Sequence, residues 1–486
     1  KCFFDLPNSL LEELTDLVEM PSLIDGDFDN SFLDLPPEIL TMVMKVHQRY
    51  IPLYENNHED INPLLLNSKG TILPKFLCIS NGLNKYKQTV KKGNERVLKA
   101  RLSDAKFFVK ADLKISSESR LNSLKNVSFS NGLGTIYDRV KRIEWIVDLL
   151  LLRTIGPNVN SKNIKRSALL CKHDLVSQMV GEFPELEGVI GGKYLLSEGE
   201  SNDVALSVLE HYLPRGTKDS IPSSDGGCLL SIGEKLELLL SIFSKGDRPS
   251  GSSDPFALRR AGNGILQILF KQKWNVNLDD LISDSLKIWP SFLPNININK
   301  HLIHSDLINF FRQRLISLLE ENHIDIDIIY SLVGKNIENK NLLINPSDIF
   351  IRAKILMKNR LNGKLNQLNQ FVSRASRLAE KSNVKNNILV LDDLVKKELF
   401  EKKSEYKMYE FIKTIEPIVL NNSTNKYDQL VNTFIQGTNV LSNFFDGDES
   451  VMVMTENLKI RQNRLNLLAV LRNQSLVLAD FQEIKN

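Results

Sequence analysis

The chain has 486 residues, 42% of them hydrophobic and 25% charged, with a formal net charge of +3. That composition excludes a disordered or fibrous chain and leaves room for roughly three domains, each with its own core. Because the charge balance is nearly neutral, any nucleic-acid role must rest on local basic patches.

No run approaches the ~20 apolar residues needed to span a bilayer. The longest, "WIVDLLLL" at 145–152, is interrupted by Asp148. The start, "KCFFDLPNSL", carries no initiator Met, no basic stretch and no small-residue cleavage site, so an N-terminal portion is expected to be missing and no signal peptide is visible. Cys2, Cys78, Cys171 and Cys228 stand far apart without a CxxC pair, which points to a reduced, cytoplasmic protein without a zinc pattern.

Residues 1–115 read as the mixed α/β portion of a domain truncated at its N-terminus. There "EILTMVMKVHQRYIPLY" suggests a helix leading into a strand, and "TILPKFLCISNG" a second strand ending in a turn. From 116 to 275 the pattern is helical. In "TIYDRVKRIEWIVDLLL", Ile136, Val140, Ile143, Val147 and Leu150 recur at spacings of three and four and share one face. Residues 276–350, rich in Asn, Ile and Leu, read as short helices. Long helical patterns return from 351, broken near "LNNSTNKYD" and "FFDGDESVM". The fold expected is mainly α and multidomain, with an α+β N-terminal portion.

The stretch "GDRPSGSSDPFALRRAGNGILQIL" (246–269) raises the question of a phosphate cradle. A P-loop needs Gly-x-x-x-x-Gly-Lys-Ser/Thr. Gly246 and Gly251 are correctly separated, but Ser252 stands where the Lys must reach the phosphates. A helix start fits instead: Asp254 can cap free backbone N–H groups and Pro255 suits the first helical position. Arg259 and Arg260 then sit on adjacent faces, as solvated charges, as partners of Glu182 or Glu185, or as RNA contacts.

Between Arg352 and Lys381 the chain carries eight Lys/Arg against one acid, Glu380. Lys354/Lys358, Arg360/Lys364 and Arg374/Arg377/Lys381 fall at helical spacings, so each set is expected to share a face suited to RNA phosphates. A second cluster, Lys91, Lys92, Arg96, Lys99 and Arg101, has Glu95 and Asp104 as internal partners. In "RQNRLNLLAVLRN" the apolar run from Leu465 to Leu471 marks a helix buried in a bundle. Arg461, Arg464 and Arg472 border it, for structural pairing or for RNA contact.

The 246–269 stretch closely resembles the Gly-x-x-Pro-Thr-Gly-Ser-x-Asp-Pro-Phe-Ala-Leu-Arg-Arg motif of the bacterial glycyl-tRNA synthetase β subunit, with Ser250 in place of Thr. Further segments resemble the same family in the same order. They include "LPPEILTMVMKVHQRYIPLY" (35–54), "GNERVLKARLSDAKFF" (93–108), "ALLCKHDLVSQMVGEFPELEGVIGGKY" (168–194), "EHYLPRG" (210–216) and "VMVMTENLKIRQNRLNLLAVLR" (451–472).

The resemblance implies an α2β2 glycine–tRNA ligase in which the α subunit activates glycine with ATP and Mg2+ and the β subunit binds tRNA(Gly). No catalytic residue, metal or cofactor is then expected in this chain. Its partners would be the α subunit and tRNA, without a membrane, in the cytoplasm or, for a plastid protein, the organellar stroma. It also implies an HD-like helical domain at 116–275, a helical linker/body region at 276–375 and a DALR-type anticodon-binding domain at 376–486. HD-domain phosphohydrolases gather an early His, a His-Asp pair and a later Asp around a metal. Here His173-Asp174 is present, but 133–153 has no His, and "SIGEKLELLLSIF" offers Glu234 and Glu237, so a vestige is expected. The alternatives are an HD-type metal-dependent phosphohydrolase and a DALR-type RNA-binding protein outside aminoacylation. In "FFDGDESVMVM", Asp448 and Glu449 argue against RNA contact at that loop tip.

Overall fold

The structure is a computed structural model that describes residues 2–154, 156–217, 219–335, 337, 342–423 and 425–485. Backbone contacts divide it into two compact units: residues 1–268 with 284–303, and residues 269–283 with 304–486. Helices of eight residues or more are numbered below in chain order.

The first unit begins with β1 (Phe3–Phe4), α1 (Asn8–Leu17), β2 (Pro21–Asp27), β3 (Ile51–Tyr54) and β4 (Ile72–Asn81). The strands form one antiparallel sheet in the order β1-β3-β4-β2. The expected helix-to-strand transition is found, with helical residues 37–47 leading into β3, and the expected second strand is β4. Strand β2 and helix α1 were not anticipated. Alternation in β2 buries Ser22, Ile24 and Gly26 on one face, as a half-buried strand requires. The helix α2 (Lys87–Asp112) follows, burying Leu98, Leu102 and Ala105 in the core shared with Ile24 and Phe76.

Helices α3 (Ile136–Arg153), α4 (Ser161–Leu170), α5 (Val189–Ser197), α6 (Asn202–Glu210) and α7 (Asp225–Lys245) build the rest of this unit. A capping box between Thr135 and Asp138 starts α3. All five of its spaced apolar residues are buried, from Ile136 at 7% exposure to Leu150 at 0%. Helix α7 is buried along most of its length. Gly233 lets it approach α3: a Cβ there would stand 2.8 Å from Val147 Cγ2.

From 258 onward come α8 (Leu258–Gln272), α9 (Leu278–Phe292), α10 (Lys300–Glu321) and α11 (Ile326–Val333). The helices expected to be short in 276–350 therefore reach 22 residues. Residues 336 and 338–341 of that segment lie outside the described residues.

In the second unit, α12 (Pro346–Leu361) and α13 (Lys364–Ala379) are separated at Asn362–Gly363, where Gly363 adopts φ +70°. Next come α14 (Lys403–Val419), α15 (Lys426–Gln436), α16 (Thr438–Asp446) and α17 (Leu458–Leu476). The breaks expected after 420 and after 446 are present, although Thr424 lies outside the described residues.

Helix α17 packs on α13 and α14 and buries Leu465 through Leu471 apart from partly buried Asn466, as its apolar run required. Its polar residues have a different task. Residues 380–402 are mostly irregular, and buried backbone groups need partners. Asn473 Nδ2 donates to the carbonyls of Lys385 and Ile388, both at 2.8 Å. Arg472 donates to Ala379 and Val384, and Asn463 Nδ2 to Lys396. One helix thus pins a coil segment from end to end. Among the described residues no helix is long and apolar enough to cross a membrane.

Candidate nucleic-acid interface

The loop at 246–257 is a capped helix start. Gly246, at φ +99°, ends α7, a backbone sign that favours glycine. The Asp254 carboxylate then accepts from the backbone N–H of Leu258 at 2.8 Å and of Arg259 at 2.9 Å. Capping by Asp254 is as expected, but α8 begins at Leu258, so Pro255 lies in the preceding turn rather than at the first helical position. That turn is closed by a bond from Ala257 N to the Asp254 carbonyl, with Ala257 at φ +55°.

Arg259 is partly exposed and Arg260 exposed. Neither guanidinium has an ion-pair or hydrogen-bond partner among the described residues. The expected alternative partner Glu182 faces Arg101 instead, at 3.5 Å.

The basic run 352–381 separates into tethered and free cations. Arg360 donates to Asp325 at 2.8 Å and to both oxygens of Asp327, at 2.6 and 2.7 Å. Those hydrogen bonds raise its pKa, led by the one to Asp327, so it is a structural clamp. Arg374 meets Asp446 at 2.5 Å over the Phe445 ring. Arg352 is held by Asp348. Lys354, Lys358, Lys364, Arg377 and Lys381 are exposed without an ion pair among the described residues. Arg360 and Lys364 do not share a helical face, because the Asn362–Gly363 break lies between them.

On α2, Lys91 is paired with Asp27 at 2.9 Å, while Arg96 is exposed and unpaired among the described residues. Arg461 is partly buried. Arg464, at 3% exposure, lies inside the bundle and pairs with Glu405 and Glu401, so burial removes it from the surface cations.

His173 and Asp174 are fully buried. Asp174 Oδ2 accepts from the backbone N–H of Gly188 at 2.6 Å and of Gly191 at 3.1 Å, capping the start of α5. His173 Nε2 donates to the Gly191 carbonyl at 3.2 Å. Burial pushes the Asp174 carboxyl up to about 6 and the His173 imidazole down to about 3.

Sequence reasoning missed the neighbouring Lys172. Its ammonium is buried, 3.0 Å from His211 Nε2 and 3.1 Å from Glu234 Oε1. Because His211 Nδ1 donates to the Val208 carbonyl, its Nε2 accepts from Lys172. Arg139 bridges Glu234 (2.6 Å) and Glu237 (2.7 Å), and Arg142 also reaches Glu237 at 2.7 Å. Burial opposes ionising Glu234, yet Lys172 and Arg139 hold its carboxyl well below the usual range.

These residues do not fit a metal ion. An ammonium stands between the His211 and Glu234 side chains, and Asp174 faces backbone N–H groups. Among the described residues no three His, Cys, Asp or Glu side chains form a metal-holding group. The legible sign was a Lys directly before His-Asp in the apolar context "SALLCKHDLV".

The sequence of this chain is similar to that of known proteins. The family model described as "Glycyl-tRNA synthetase beta subunit" matches residues 2–334. A glycine–tRNA ligase beta subunit from Gloeothece citriformis is 40% identical over 483 residues, covering 99% of this chain. The one from Trichodesmium erythraeum is 40% identical over 486 residues, and that from Oceanobacillus iheyensis 34% over 485, each again covering 99% of this chain. The chain spans 66% of the length of these relatives. A match across more than half of the chain, and in particular across the Asp254-capped loop, settles its kinship: the chain belongs to the glycyl-tRNA synthetase beta subunit family.

Proposed function

We propose that this chain is the tRNA-contacting part of the β subunit of a glycine–tRNA ligase. It would support ATP- and Mg2+-dependent attachment of glycine to tRNA(Gly), with the chemistry in a separate α subunit. The observation that carries the reading is the free Arg259–Arg260 pair at the capped start of α8, within the part of the chain that the family covers. The Asp254 carboxylate occupies the first N–H groups of the helix, so the phosphate-binding groups in this reading are the two guanidinium groups, which suit RNA phosphate oxygens.

In this reading the chain holds neither ATP nor metal of its own and works in the cytoplasm or a plastid stroma. Its 116–275 region is an HD-like scaffold whose cation is Lys172, and 376–486 is a DALR-type anticodon-binding bundle. Lys354, Lys358, Lys364 and Arg377 supply further phosphate contacts. The test is glycylation of tRNA(Gly) by an α subunit with and without this chain. Stimulation that falls steeply with salt supports the reading. Tight tRNA binding without any stimulation would instead favour an RNA-binding protein outside aminoacylation.

A further inference from the structure

A cavity of about 570 Å³ opens in the first unit beside the end of α7 and the segment that leads into α10. Its size lies within the range of small-ligand sites. Four asparagines line it: Asn131, Asn295, Asn297 and Asn299. Asn299 is occupied in capping Leu302 N at 3.1 Å. The exposed amides of the other three make no hydrogen bond among the described residues.

Two cationic side chains, Lys245 and Arg248, complete the polar wall. Lys245 is paired with Asp247 at 3.0 Å. Arg248 is pinned: Nη1 donates to the carbonyls of Phe243 (2.7 Å) and Asp247 (2.9 Å), and the guanidinium carbon lies 4.1 Å from the Phe243 ring centroid. Among the lining residues, Ser244 is 7% exposed and its hydroxyl finds no partner among the described residues. Ser241, one turn earlier, gives its hydroxyl to Glu237 at 2.7 Å. A buried hydroxyl left without a partner costs stability unless something else supplies the bond.

Several uncommitted primary amides, a fixed guanidinium and a buried hydroxyl suit a nucleobase. Amides pair with base edges in both donor and acceptor senses, and unpaired bases are read on those edges and stacked on Arg planes. We propose that this cavity binds one nucleotide unit, supplied by an unpaired nucleotide of RNA. This deepens the proposed function and rests on it.

The test measures binding of the full chain to a single-stranded RNA of about eight nucleotides, to a blunt RNA duplex, to tRNA and to the four free nucleoside monophosphates. The single strand is expected to bind more tightly than the duplex. The Asn295→Ala/Asn297→Ala double variant should weaken it about tenfold, with an unchanged salt slope. Ser244→Ala should also weaken it, without lowering Tm. Equal binding of single strand and duplex, or variants that bind like wild type, would overturn the proposal. If free monophosphates bind as tightly as the oligonucleotide and compete with it, the nucleotide class stands and the RNA source falls. Retained tRNA binding with silent variants rejects the cavity alone, whereas loss of all RNA binding by the wild-type chain rejects the proposed function as well.

Discussion

Lys172 Nζ lies 3.0 Å from Nε2 of His211, with both side chains fully buried. The bond is directional: His211 gives its Nδ1 proton to Val208 and keeps a lone pair for the ammonium. Burial, with the Lys172 charge beside it, holds the imidazole well below its ordinary pKa and therefore neutral. Glu234 supplies the countercharge, and Arg139 and Arg142 extend the network to Glu237. The helices α3 and α7 and the segment before the His-Asp pair are thereby tied through one charged cluster.

Lys172→Met removes the central cation of that cluster while roughly keeping its volume. Breaking a buried pair by deleting one partner costs on the order of 3 kcal/mol, mostly through the charge left behind. Urea unfolding should therefore show a clear loss of stability. An unchanged midpoint would mean that Arg139 suffices for Glu234 and that Lys172 does not hold the cluster.

The His-Asp pair gives a pH signature. His173 has its folded pKa pushed by burial to about 3 from 6.5, so between those values the unfolded chain binds a proton that the native chain refuses. That group destabilises the fold as pH falls from 6.5 toward 3. Asp174 acts in the opposite sense, because burial raises its carboxyl to about 6 and the native form takes the proton first on acidification. His173→Asn removes the first effect, leaving His211 to contribute with the same sign. Its stability should therefore decline less than that of wild type between pH 6.5 and 4, as read from denaturation midpoints across pH. Parallel profiles would show that His173 is protonated without penalty.

Local features were legible in the sequence and distant partners were not. The face of α3 and the Asp254 cap follow from spacing within a few residues, and both are in the structure. Arg360 looked like part of a basic face because its partners, Asp325 and Asp327, lie more than thirty residues away. The same holds for Arg464, whose partner Glu405 stands 59 residues upstream. Asn463, Arg472 and Asn473 satisfy the backbone of a coil segment, a demand with no sequence period. Lys172 carries no metal-ligand signature in the sequence, although its ammonium offers a cation to the same kinds of acceptor, His211 and Glu234.

Asp174 separates capping from chemistry. Its Oδ2 accepts two backbone N–H groups at the start of α5, and an amide oxygen can do the same. Asp174→Asn should keep most of the stability and leave the rate of assisted glycylation within a few-fold of wild type. Asp174→Ala deletes the cap and strands two buried donors, at a cost of about 2 kcal/mol or more. A thousandfold loss of glycylation in a stable Asp174→Asn protein would give the carboxylate a chemical role.

Arg259 and Arg260 are distinguished from the tethered arginines by what their loss should do. They sit at the Asp254-capped start of α8, with no side-chain partner among the described residues. Substituting either by Gln breaks no ion pair, so Tm should stay unchanged. If the side chain meets an RNA phosphate, tRNA binding weakens and the slope of log K against log salt becomes shallower by about one unit. Arg464→Gln provides the contrast. It leaves Glu405, fully buried, without its guanidinium partner, so it should lower stability by about 3 kcal/mol or more. Its salt slope, measured on the fraction that remains folded, should match wild type. Thermal melts and tRNA titrations at several salt concentrations on the three variants decide the matter. A drop in Tm for Arg259→Gln or Arg260→Gln with an unaltered slope would make these arginines structural, and the phosphate contact would have to lie elsewhere.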